Sequence, residues 1–86
     1  MDKILNYIGG ALVEPKSGSY LDNIEPATGK VYSQIPDSDT EDIEAAVAAA
    51  KKAQHGWAIM PAEDRSALLM KVAELIDRDL EALARA

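Results

Sequence analysis

The chain has 86 residues, a formal net charge of -6, no Cys, no Phe and a single Trp. At this length it forms at most one small domain, burying roughly two-thirds of its unfolded surface, and because much of its apolar content is Ala, any core is thin. The missing Cys excludes a disulfide framework, a thiolate metal site and a cysteine nucleophile within these residues, and the acidic balance argues against nucleic acid or an anionic membrane as partner.

Met1–Gly10 carries only scattered apolar residues around Asn6, which is not a signal peptide. No apolar run approaches the roughly 20 residues that span a bilayer, so a cytoplasmic protein is the expectation. Leu5–Ile8 and Ala11–Val13 read as short strands joined at Gly9-Gly10, where two residues without Cβ can adopt the positive φ of a primed hairpin turn. Pro15–Ser19 is a polar loop. Tyr20–Ile24 reads as a strand, Glu25-Pro26-Ala27-Thr28-Gly29 as a turn, and Lys30–Ile35 as the returning strand, ended by Pro36. Val31 and Ile35 alternate with Tyr32 and Gln34 across its two faces.

Two amphipathic helices follow. The first is predicted over about Thr40–Trp57, with Ile43, Ala46, Val47, Ala50, Ala53 and Trp57 on one face. Ser38-Asp39-Thr40-Glu41 fits a capping box, and Asp39, Glu41 and Asp42 suit the positive end of the helix dipole. After a break at His55–Pro61, the second helix is predicted to start on Pro61 as its first residue and to run to Ala86. Its apolar face is Leu68, Leu69, Val72, Ala73, Leu75, Ile76, Leu80 and Leu83. No Gly, Asn or Pro stop signal follows that pattern, and a further C-terminal part is expected. The fold class is therefore α+β, with β-hairpins over 1–36 and a helical pair over 37–86.

No single motif names a reaction. Thr28-Gly29-Lys30 lacks the upstream Gly and following Ser/Thr of a phosphate loop and reads as a turn. Asp37 to Glu41 has the opening spacing of a calcium loop, but Asp42 stands where Gly is needed and Ala48 where Glu is needed, so it reads as helix capping. His55, the only histidine, reads as a partner of terminal carbonyls at a helix end rather than a base. Trp57 reads as a core anchor where the helices meet. Arg65 reads as the partner of Asp64 or Glu63, and the pairs Glu41/Glu44 and Asp77/Glu81 as solvated faces. No residue here is assigned a catalytic or cofactor-binding role.

The order of features carries more than any one of them. Tyr7-Ile8-Gly9-Gly10 with Leu12-Val13-Glu14-Pro15 resembles the first hairpin of the aldehyde dehydrogenase superfamily, and Glu25-Pro26-Ala27-Thr28-Gly29-Lys30-Val31 resembles its Asn-Pro-x-Thr-Gly-x-Val turn. Asp42-Ile43-Glu44-Ala45-Ala46-Val47-Ala48-Ala49-Ala50 is similar to its first helix. Glu63-Asp64-Arg65, Leu68-Leu69 and Ala73-Glu74-Leu75-Ile76 are similar to its second. The resemblance covers essentially the whole chain. Glu25 stands where the family usually has Asn, and Gln54 where it usually has Phe. Glu25-Pro26 with Val31-Tyr32 resembles the branch acting on muconic semialdehydes.

The resemblance implies the N-terminal segment of a longer parent with a Rossmann-like NAD(P) domain, a catalytic domain and an oligomerisation arm, the parent being a homo-oligomer. In the family a cysteine thiolate attacks the aldehyde, hydride passes to nicotinamide, and a glutamate activates the water that releases the acid. None of those groups falls within 1–86, so this segment is expected to bind no cofactor and to act as scaffold, with the rest of the parent as its partner. The resemblance also implies one minor site, a monovalent cation held partly by the backbone carbonyl of Ile24. The rival reading, from a different class, is a free-standing helical interaction module docking through its wide Leu/Val/Ile face.

Overall fold

Gly9 and Gly10 have φ of 61° and 83°, both in the left-handed region that a two-residue hairpin turn requires. They join β2 (Asn6–Ile8) to β3 (Ala11–Val13) with Asn6 opposite Val13, Tyr7 opposite Leu12 and Ile8 opposite Ala11. The computed structural model describes residues 2–86. Its remaining elements are β1 (Asp2–Lys3), β4 (Tyr20–Glu25), β5 (Lys30–Pro36), α1 (Thr40–Ile59), α2 (Ala62–Arg78) and α3 (Leu80–Arg85). The α+β class and both hairpins agree with the sequence pattern.

The chain divides into two compact units, one ending at Ala53 and the other running from Gln54 to Ala86. The first contains a three-stranded sheet ordered β1-β5-β4 and the separate β2–β3 ribbon. Strand β1 was not expected from the sequence, because two polar residues give no alternation to read. It pairs parallel with β5, Asp2 opposite Ser33 and Lys3 opposite Gln34, and the Ile4 N–H donates to the Gln34 carbonyl at 2.8 Å. The β4–β5 pairing slips between Asn23, opposite Ser33, and Ile24, opposite Val31. Tyr32 is thus the extra residue of a bulge, which interrupts the predicted alternation along β5. The Asn23 side-chain amide donates to the Ser33 hydroxyl at 3.0 Å beside the slip, and Ser33 is buried. Pro36 does not terminate the strand before it pairs; it lies opposite Tyr20 as the last β5 residue.

The start of α1 corrects the predicted capping box. Asp39, not Ser38, caps the helix, its Oδ1 accepting from the Glu41 N–H at 3.1 Å. Ser38 is engaged elsewhere, its hydroxyl accepting from the Asn6 side-chain amide at 2.8 Å. The face of α1 that is covered within this unit is also not the predicted one. Asp42, Ala45 and Ala49 are its less exposed residues, and a Cβ on Gly9 would stand 3.9 Å from the Ala49 Cβ. The glycine turn therefore rests over small side chains, whereas Ile43 and Val47 are 61% and 47% exposed.

In the second unit, α1 runs through His55 and Gly56 to Ile59, past the predicted stop. The signal that ends it is Pro61, whose ring disfavours a helical Met60. Pro61 itself is the N-cap (φ -55°, ψ 145°) rather than the first helical residue, and its carbonyl accepts from Asp64 and Arg65 at 3.0 and 3.2 Å. The predicted single second helix is divided at Asp79, where φ -101° and ψ 19° leave helical geometry. Asp is a poor interior helix residue because its carboxylate competes for local donors, and here it takes two from the neighbouring Arg78 guanidinium, at 2.9 and 2.8 Å. Among the described residues no large apolar side chain is buried in either unit.

Candidate functional site

Asp42 is the most buried charged residue, 4% exposed. It lies in the first turn of α1, on the face that Ala45 and Ala49 continue, and Asp39 leaves it unneeded as a cap. Its Oδ1 instead accepts from the Lys16 N–H at 3.1 Å. That ties the helix to the loop after β3, a turn closed by the Gly18 N–H on the Pro15 carbonyl at 2.9 Å, with Gly18 at φ 73° and Pro15 buried. The second oxygen, Oδ2, is buried without a partner. The positive end of α1 offsets part of the cost of that charge. The sequence places Asp42 only as a dipole partner; the signal for its burial is its spacing with Ala45 and Ala49.

Two clefts lie between the β2–β3 ribbon and the first unit's part of α1, and Asp42 lines the first of them. One, of about 230 Å³, is lined by Asn6, Tyr7, Ile8, Ser38, Asp42, Ile43 and Ala46. The other, of about 360 Å³, is lined by Tyr7, Ile8, Gly9, Gly10 and the alanines 46, 49, 50 and 53. Apolar groups dominate both, and no Lys or Arg lines either. Such walls fit hydrophobic side chains. With no basic side chain on them, they offer no cation to the phosphates of a dinucleotide.

The Glu25–Gly29 turn is held in a way that answers the departure at Glu25. The Glu25 carbonyl accepts from the Gly29 N–H at 2.8 Å, and its carboxylate accepts from the Thr28 hydroxyl at 3.0 Å. Thr28 Oγ1 in turn accepts from the Lys30 N–H at 3.3 Å, and Gly29 takes φ 71°. A longer acid thus supplies the acceptor for the turn. Ile24 lies on β4 next to the bulge, with its side chain exposed. Among the described residues no three His, Cys, Asp or Glu side chains gather as a metal site.

The other singled-out residues are not brought together. His55 lies inside α1, short of the helix end at which it was expected, and is exposed. Trp57 is exposed rather than a core anchor. Gln54 is exposed as well, which satisfies its amide in water. Arg65 forms no ion pair with Glu63 or Asp64; among the described residues the ion pairs are Arg78–Asp79 and Arg85–Glu81, and Arg65 Nε is buried without a partner. Tyr20 was not anticipated as a titrating group. Partial burial pushes its phenol pKa up, and the Glu14 carboxylate, 3.5 Å from the hydroxyl, pushes it further. Lys3 Nζ lies 4.6 Å from the centre of the same ring.

Residues 12–86 match the model of the aldehyde dehydrogenase family. Among curated proteins, the chain is 44% identical over 81 residues to a 2-aminomuconic semialdehyde dehydrogenase of Bos taurus, covering 94% of this chain and 16% of that protein. It is 46% identical over 83 residues to a long-chain-aldehyde dehydrogenase of an Acinetobacter species, covering 96% and 16%. It is 40% identical over 81 residues to aldehyde dehydrogenase B of Escherichia coli, covering 94% and 16%. The chain therefore spans about one-sixth of the length of these relatives.

Proposed function

The chain belongs to the aldehyde dehydrogenase family, and from that premise we propose that it is the N-terminal scaffold segment of an NAD(P)-dependent enzyme oxidising an aldehyde to a carboxylate. The observation that carries the scaffold role is that no large apolar side chain is buried among the described residues. Ile43, Val47, Leu68, Val72, Leu75 and Ile76 are all exposed, so their faces await a surface that these residues do not supply. Zero Cys and the absence of basic groups in the clefts fit a segment that neither reacts nor holds the cofactor. In this reading the Rossmann-like domain, the nucleophile and the oligomer contacts lie in further polypeptide. The enzyme works as a cytoplasmic homo-oligomer, and Ile24 lends its carbonyl to a monovalent cation completed by oxygens from elsewhere.

For the substrate we propose a semialdehyde of aromatic breakdown, which Glu25-Pro26 and Val31-Tyr32 support, as does the Bos taurus likeness. A long-chain-aldehyde dehydrogenase at 46% identity weighs on the other side. A panel of aldehydes against the longer protein decides between them.

The test compares the 86-residue chain with a version continued along its reading frame, following NADH or NADPH absorbance with aldehyde and oxidised cofactor. The expected result is reduction by the longer protein and none by the short chain. Turnover by the short chain would overturn the scaffold reading. A stop codon directly after Ala86, together with a cooperative melt and a discrete sedimentation profile, would favour the free-standing interaction module.

A further inference from the structure

We draw no further inference here: the strongest candidate, the cleft between the β2–β3 ribbon and the start of α1 beside the unpaired Asp42 Oδ2, carries nothing because that oxygen is closed off from any ligand in the cleft and nothing in the structure shows what covers the apolar walls.

Discussion

Asp42 Oδ1 accepts the Lys16 N–H at 3.1 Å across 26 positions of sequence, and this bond pins the loop after the first hairpin to the start of α1. A hydrogen bond to a charged acceptor is worth about 1.5–3 kcal/mol. Asp42→Ala removes it, leaves the Lys16 N–H without its acceptor, and also relieves the unpaired Oδ2. The net loss is expected near the low end of that range. Amide exchange at Lys16 should accelerate in Asp42→Ala and change less in Asp42→Asn, which keeps an acceptor. Unchanged exchange in the alanine variant would show that the loop is held by other contacts.

The Gly9-Gly10 turn predicts an asymmetric response to substitution. At Gly9, φ is 61° and an added Cβ meets only Ala49, at an ordinary 3.9 Å. The cost of a side chain there is therefore backbone strain, about 1–2 kcal/mol for most residues. Gly9→Asn should be tolerated, because Asn adopts left-handed geometry readily, while Gly9→Val should destabilise the ribbon. NMR cross-strand contacts between Tyr7 and Leu12 would persist in the first variant and weaken in the second.

The hairpins were legible because turn chemistry is local: Gly9-Gly10 and Thr28-Gly29 state the conformation they need. Class and order of elements followed from them and from helical periodicity. What failed depended on contacts distant in sequence. Strand β1 exists because β5 offers it an edge, and two polar residues announce nothing. The break expected over His55–Pro61 is shorter in the structure, where α1 continues to Ile59 and the constraint is Pro61 acting backwards on Met60. The apolar face of α1 was legible from periodicity, but which face the first unit covers was not, because Asp42, Ala45 and Ala49 carry no apolar signal that marks them as inner. Inside the first unit the glycine turn lies over Ala49, and Ile43 and Val47 are exposed.

The Arg78–Asp79 pair gives a pH prediction whose sign is fixed. Hydrogen bonds from the Arg78 guanidinium hold the Asp79 carboxyl below its ordinary value, against a smaller opposing effect of partial burial. A carboxyl depressed in the folded state contributes stability above its unfolded pKa, about 3.9, and that contribution is lost as pH falls through the lower folded value. The pair is exposed, so the effect is small and screened by salt. A carbon-detected NMR titration should place the Asp79 midpoint below that of an unpaired Asp, and Arg78→Gln should return it toward the ordinary value. Equal midpoints in both proteins would remove the pairing as the cause.

Tyr20 titrates in the opposite sense. Its phenol pKa is raised, first by partial burial and then by Glu14. A raised folded pKa favours the protonated form, so its contribution is complete below the unfolded pKa of about 10 and disappears as pH rises through the folded value. Ultraviolet titration of Glu14→Gln should lower the Tyr20 midpoint only in part, since the burial remains. A full return to the ordinary value would make the carboxylate the main cause.

The exposed apolar faces separate a scaffold segment from a self-contained domain by a double comparison. In a domain with its own core, replacing a core Leu or Ile by Glu costs several kcal/mol. Here Leu69 and Ile76 are 64% and 49% exposed, so Leu69→Glu and Ile76→Glu, which keep a good helix former inside α2, should leave the helicity of the 86-residue chain nearly unchanged. In the longer enzyme, if the scaffold reading holds, at least one of these positions lies against other polypeptide. A buried carboxylate there would have no partner, and soluble yield, melting temperature and activity should fall together. Circular dichroism of the short chain and a melt of the longer protein read the two arms separately. Loss of structure in the short chain would mean that these side chains already form its core. Indifference of both proteins to both substitutions would mean that this helical face meets only water.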